Sequence, residues 1–507
     1  MNKLDKFFSN TNKDVFVLTN MPEVLKGALF SKYSRSPLPL RELFVKDYLE
    51  NKEVNSQKAK DFYKKWLALY GDDSIAELAA IHLGIENISV LGAKFIEDRR
   101  IGISPLEKST RYVRFDDKEN GEYKYYKDPR IMMSEYATEY VNVMNLLFDT
   151  YSKLISPMKI HFKTKYPKPE DVSEIAYENS INAKALDTLR GLLPLATKTN
   201  IGVLANGRSV EYLLTRMYAQ PLKELHSYAK NIHTESAKFI DNFVERVESD
   251  KGKEYINYLK VTEKEINKIV EKYGDNSVEK CKPAVKLIEY NINGDREAAA
   301  NIVYSHSNIE YEKALKNIKV ADVEKLIETY VKHRQGRWHK VGKSFENIYY
   351  TFEITADFGA YKDLQRHRML TMERQLFSTE YGYEVPEDVI EAKKNKEYIA
   401  ALNSANILYK KIKTKFPIEA QYLVGHGNLV KWKMKMNLRE AFHLCELRSS
   451  PQGHPSYRRI AQDIYKLICE VNPIVGKNMK FVNMQNPGLE RLSAEVRREE
   501  KLNAVRN

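Results

Sequence analysis

The sequence predicts an α+β protein built from two tandem, related halves, and three observations carry that reading. Ordered residue patterns recur at matching offsets in the two parts of the chain. Much of the rest is helical in period, with apolar residues at turn spacing among Lys and Glu. A few segments are instead aromatic and β-branched, 348–355 most clearly, and read as strands.

The repeats keep their order. Ser74-Ile75-Ala76-Glu77 precedes Arg99-Arg100-Ile101, as Lys343-Ser344-Phe345-Glu346 precedes Arg366-His367-Arg368. Arg190 is followed sixteen residues later by Asn206-Gly207-Arg208, and Gln421 at the same interval by Asn437-Leu438-Arg439. The expected organisation is a first domain over 1–245, a helical connector over 246–299 and a second domain over 300–507. Turn signals at Tyr273-Gly274-Asp275-Asn276 and Asn293-Gly294-Asp295 punctuate the connector.

Single elements follow from local chemistry. Ser74 and Glu77 have capping-box spacing and are expected to open an Ala/Leu-rich helix that Gly84 closes. The following segment, 81–90, reads as helical or mixed, although it aligns with the strand at 348–355. Residues 437–448 read as one helix: eleven residues is close to three turns, which stacks Asn437 and Arg448 on one face beside Arg439 and His443. The tail at 491–501 reads as a solvated amphipathic helix.

Bulk properties narrow the function. A chain of 507 residues supports two or more cored domains. No apolar run approaches the roughly 20 residues of a membrane helix, and the N-terminal stretch shows no apolar signal region. Three cysteines, far apart and in no metal or disulfide spacing, fit a reducing, cytoplasmic setting and give no expectation of a metal. The net charge of +13 implies anionic partners, with nucleic acid and phosphorylated small molecules both open.

An Arg-His-Arg triplet sets two delocalised cations beside an imidazole, a combination suited to phosphate or a polarised carbonyl. Glu107-Lys108-Ser109-Thr110-Arg111-Tyr112 alternates acceptor, hydroxyl, guanidinium and phenol, a plausible phosphate and ribose cradle. No dinucleotide-binding or P-loop glycine motif occurs, nor a nucleophile elbow or zinc-helix motif. Cys445 sits mid-helix between apolar neighbours and reads as core.

As an ordered set these residues resemble the flavin-dependent thymidylate synthases, in a long, duplicated form. That family's signature, R-H-R-x-x-S-x-x-E-x-S-x-R-Y, is preceded by T/S-x-x-E. It is followed by an Arg, then by N-x-R and a catalytic Arg eleven residues beyond the Asn. The resemblance implies two tandem thymidylate-synthase-complementing-protein-like domains, each helix-rich around a central antiparallel sheet. It implies FAD as cofactor, with NADPH and 5,10-methylenetetrahydrofolate as co-substrates and dUMP as the methylated substrate.

Carried onto this chain, the resemblance gives flavin to Ser74, Arg366, His367, Arg368, Asn437, Arg439 and His443. It gives dUMP to Glu107, Lys108, Ser109, Arg111, Arg190 and Asp363, and makes Arg448 the catalytic residue that polarises the uracil. The halves depart from the motif in complementary ways. The second has Arg374, Leu376 and Ser378 where E-x-S-x-R is expected, and Gln421 for the upstream Arg. The first has Arg100 and Ile101 for His and Arg, and Met217 for the catalytic Arg. Because the resemblance implies a tetramer whose active sites are shared between subunits, one composite site drawn from both halves is expected, with two chains replacing the tetramer. The alternatives are a flavoenzyme acting on another uracil-containing substrate such as RNA, or an inactive nucleotide- or nucleic-acid-binding homologue.

Overall fold

The computed structural model describes residues 4–50, 53–54, 75–273 and 280–506. They form two compact units, Met1–Lys108 with Thr199–Asn276, and Ser109–Lys198 with Ser277–Asn507. Each unit is helix-rich and carries its own sheet. Among the described residues no helix is long and apolar enough to cross a membrane.

In the first unit the sheet contains β1 (Ala80–Ser89), β2 (Ile103–Glu107) and β3 (Lys198–Asn206), in the order β1-β3-β2. Strand β3 shows why it is a strand: Thr199, Ile201, Val203 and Ala205 are buried and the residues between them are exposed, a period of two. Strand β2 pairs with it antiparallel, Ile103 opposite Ala205 and Glu107 opposite Ile201. The helix Val90–Glu97 leaves β1 under a serine cap, Ser89 Oγ accepting from the Gly92 N–H at 2.9 Å. The helix Gly207–Ala219 leaves β3 under Asn206, which accepts from the Ser209 N–H at 2.9 Å.

The second unit repeats this plan. Its sheet holds β4 (Ala284–Tyr290), β5 (Tyr349–Asp357), β6 (Leu370–Arg374) and β7 (Leu429–Asn437), ordered β6-β7-β5-β4 and antiparallel throughout. Without β4 the order matches that of the first sheet. Asp357 caps the helix Phe358–Leu364 through the Ala360 N–H, and Asn437 caps Leu438–Arg448 through the Glu440 N–H at 2.8 Å. Even the N-x-R pairings recur: Arg208 bonds Glu77 at 2.8 Å in the first unit, and Arg439 bonds Glu346 in the second.

Several sequence expectations change here. The helix expected from Ser74 to Gly84 is a single 3-10 turn, Ile75–Leu78, and Gly84 lies inside β1; Ser74 itself falls outside the described residues. Ile81, Ile85 and Ile88 are buried in β1, and the pairing with β3 overrides the segment's ambiguous propensity. The stretch read as a helical connector is helix over Asp250–Val270, then contributes β4 to the second sheet. Residues 437–448 and the C-terminal tail are helical as expected, the tail over Leu492–Arg506.

The compact units also follow a different line from the 1–245, 246–299 and 300–507 division, because residues 109–198 pack with the second half. Two contacts explain this. The long helix Ala137–Lys165 lies against Asn395–Lys415, with Lys153–Glu397 and Lys411–Glu139 ion pairs along the seam. The repeated segments around Arg190 and Gln421 then bond to each other. Leu195 N–H donates to Val424 O at 2.8 Å, and Gly427 N–H donates to Gly191 O at 3.0 Å.

That crossing depends on backbone proximity. A Cβ on Gly191 would lie 1.9 Å from Tyr398 Oη and 3.3 Å from Gly427 Cα. Gly191→Ala is therefore expected to destabilise the protein by about 1–3 kcal/mol, the range of overpacking in a close-packed interior. Urea unfolding of the variant checks this.

Candidate active site

Four residues separated widely in sequence meet in the second unit. Arg111 lies in the loop after β2, and Arg190 at the C-terminal end of the helix Glu174–Leu189. Asp363 is on the helix Phe358–Leu364, and Arg448 ends the helix Leu438–Arg448. Asp363 Oδ2 accepts from Arg111 Nη2 at 2.8 Å and from Arg190 Nη1 at 3.0 Å. The Asp363 and Arg111 side chains are 13% exposed and that of Arg190 3%, so these charges are largely desolvated. Burial alone would raise the Asp363 carboxyl; Arg111, Arg190 and Arg448 outweigh it and hold the group well below the usual carboxylate range.

Two further side chains frame the cluster. Tyr457, in the first turns of the helix Pro455–Val471, accepts from Arg111 Nη1 at 3.3 Å. Its ring lies 5.1 Å from the Arg111 guanidinium and 5.5 Å from that of Arg448, a cation–π arrangement with both. Asp187 flanks Arg111 at 3.4 Å and Arg491 at 3.7 Å.

Arg448 is aimed by a buried relay. Its Nε donates to His367 Nε2 at 2.8 Å, and His367 Nδ1 meets Glu440 Oε1 at 2.5 Å. Since an arginine Nε only donates, Nε2 carries the lone pair and Nδ1 the hydrogen. Burial, then the charges of Arg448 and Lys340, hold His367 well below the ordinary imidazole range. Burial also brings His443 down to about 4, against the pull of Glu440. His443 Nδ1 lies 2.5 Å from Lys340 Nζ.

Both imidazoles have depressed folded values, so their contribution is fully present above the unfolded histidine value near pH ~6.5. The contribution of His443 drains away as pH falls toward 4, and that of His367 as pH falls through its own depressed value. Denaturant midpoints at pH 7, 5.5 and 4.5 should fall steadily, and a His443→Gln variant should fall less.

Arg366 and Arg368 flank His367 and are exposed, and Arg366 makes no hydrogen bond among the described residues. Asn437 caps its helix, while Arg439 bonds Val341 O at 2.9 Å and Glu346. Ser109 Oγ accepts from the Arg111 N–H at 3.3 Å. Glu107 and Lys108 belong to the first unit. There the Glu107 carboxylate is fully buried against Lys94 at 2.8 Å, with Glu97 as that lysine's second partner.

Beside the cluster is a cavity of about 260 Å³. Asp187, Arg190 and His454 line it together with Tyr398, Asp357 and Glu384. Among the described residues, Arg190 Nη2 and Tyr398 Oη are buried without hydrogen-bond partners.

Sequence reasoning missed Asp187, Glu440 and Tyr457. Each is one polar residue on an ordinary helix, and only the fold reveals its partners. Tyr457 alone had a local signal, lying just inside a helix start marked by His454-Pro455.

The model of the thymidylate synthase complementing protein family matches this chain twice, over residues 31–240 and 286–474. The chain belongs to that family. A UPF0159 protein of Chlamydia muridarum is 40% identical over 513 residues, spanning 98% of this chain and 97% of the relative. One from Chlamydia pneumoniae is 40% identical over 516 residues, with the same coverage. Another, from Thermoplasma acidophilum, is 32% identical over 522 residues, covering 95% of this chain and 99% of its own. A solved UMP/dUMP methylase PolB from Streptomyces cacaoi, bound with 5-Br dUMP, is 14% identical with a TM-score of 0.33. It covers 41% of this chain and 100% of its own, a likeness too slight to argue from. The two family matches accord with the repeated strand order, capping asparagines and Arg–Glu pairs of the two units.

Proposed function

We propose that this protein is a thymidylate synthase that converts dUMP to dTMP reductively, using FAD, methylenetetrahydrofolate and NADPH, at one site drawn from both sequence halves. The observation that carries the proposal is the meeting of Arg111 and Arg190, from the first half, with Asp363 and Arg448, from the second.

Each residue then has a task. Arg111 and Arg190 supply buried cations for the nucleotide. Arg448 uses its Nε on His367 and keeps its terminal nitrogens for the O4–N3 edge of a uracil. Stabilising negative charge on that edge raises electron density at C5, the carbon to be alkylated. Glu440 holds His367, and His367 holds Arg448, so the guanidinium is oriented before substrate arrives. Cys445 is fully buried and burial, then Glu446, pushes its thiol up, which suits a scheme without a cysteine nucleophile.

The residues available to FAD fit it in part. Arg366, exposed and without a hydrogen bond among the described residues, together with Arg368 suits a pyrophosphate, whereas Asn437 and Arg439 already have protein partners. When bound, the flavin supplies the hydride that completes the methyl group.

The proposal includes a two-chain assembly, since each duplicated chain stands for two subunits of the tetramer that the resemblance implies. Light scattering on the purified protein should give the mass of a dimer. Tritium release from [5-³H]dUMP with methylenetetrahydrofolate and NADPH tests the reaction. A yellow protein that releases no tritium from dUMP but modifies uridine in RNA would transfer the same site to a different substrate.

A further inference from the structure

The arginine cluster is not empty of anions: its own carboxylate sits at its centre. Asp363 Oδ2 takes hydrogen bonds from both Arg111 and Arg190. Arg448 adds a third electrostatic contact, and Asp363 is firmly ionised. The other charged groups at hand are Asp187, held between Arg111 and Arg491, and Arg366, whose charge is felt by Arg448. A phosphate seeking the guanidinium groups of these two arginines meets Arg111 Nη2 and Arg190 Nη1 already committed to a carboxylate, which leaves it Arg190 Nη2 among the described residues. If it binds beside Asp363 it also faces like charge in a water-poor setting, where repulsion is poorly screened.

We infer that Asp363 is a built-in competitor for the substrate's phosphate: it keeps the buried arginines paired in the unliganded protein and is displaced from them when a nucleotide binds. The inference rests on the reading of the cluster as a nucleotide site and deepens it, because it sets which ligands the site favours. A nucleoside, lacking the phosphate, does not compete with Asp363. A nucleoside monophosphate does, and its affinity is held down by the cost of freeing the arginines. Asp363 is thus a specificity-determining residue acting against the charge of the ligand.

Calorimetric titration of the full-length protein with inorganic phosphate, deoxyuridine and dUMP tests this, comparing wild type with Asp363→Asn and Asp187→Asn. The neutral amide in Asp363→Asn keeps an acceptor for the arginines but removes the charge. It should bind phosphate and dUMP at least about tenfold more tightly, with deoxyuridine changed little. Asp187→Asn, whose carboxylate reaches only the edge of Arg111, should show a much smaller gain. Unchanged or weaker phosphate and dUMP binding by folded Asp363→Asn overturns the inference.

Should that variant not fold, a crystal structure of the wild type with dUMP decides. Breakage of the Arg111–Asp363 or Arg190–Asp363 hydrogen bond is expected; a bound nucleotide with both intact contradicts it. The inference and the functional proposal fail separately. Tighter phosphate binding without Asp363, in a protein that never labilises dUMP, would sink only the reaction. Full thymidylate synthesis with no gain in affinity would sink only the role of Asp363.

Discussion

Replacing Arg448 by alanine is expected to lower turnover of dUMP by about 10²–10³-fold, the effect of removing one preorganised donor from a developing negative charge. The loss should fall on kcat more than on KM, since the guanidinium matters most when the uracil edge gains charge. Arg448→Lys should rescue little. A lysine has no Nε to donate to His367 while two further nitrogens face the substrate, and its ammonium lacks the planar fork. Steady-state kinetics on the two variants, with circular dichroism to confirm folding, provides the check.

The second large effect concerns stability. Asp363→Ala leaves Arg111, Arg190 and Arg448 near one another with no carboxylate between them. Breaking a buried ion pair by removing one partner typically costs about 3–5 kcal/mol, because the surviving charge is uncompensated. Both partners here are less than one-fifth exposed, so solvent screening reduces that figure little. The pH dependence has a definite sign. The folded carboxyl is depressed, so its contribution is fully present above the unfolded value near ~3.9 and is lost as pH falls through the folded one. Below pH ~4 the gap between wild type and Asp363→Ala should therefore narrow. Chemical unfolding across that range measures it.

Much of this site was legible in the sequence, and the part that was not has a physical reason. The helix Leu438–Arg448 could be read directly, because Asn437 is a strong cap and Arg448 lies three turns along the same face. Arg111, Arg190 and Arg448 stood out because each occupied a defined place in an ordered, repeated pattern. Asp187, Glu440 and Tyr457 did not, because their partners lie on other elements brought close only by packing. The same cause explains β1: Ile81, Ile85 and Ile88 permit more than one local structure, and pairing with β3 decides it.

The division into units was hidden for a related reason. Repeats along a chain show which segments are related, but not which related segments pack together. Here the segment after Arg190 bonds to its own counterpart after Gln421, and that crossing carries residues 109–198 into the second unit. The crossing also brings Arg111 and Arg190 to Asp363. A boundary drawn at the end of the first repeat would have placed them in a different unit from Arg448.

The central claim is that a single uracil-nucleotide site takes its cationic side chains from both sequence halves. Tritium release from [5-³H]dUMP, measured on wild type, Arg111→Ala and Arg448→Ala in the presence of methylenetetrahydrofolate and NADPH, tests it most directly. Release by the wild type, with a loss of at least about 10²-fold in each variant, is the predicted result. Wild-type release that persists undiminished when either arginine is removed would contradict the composite site.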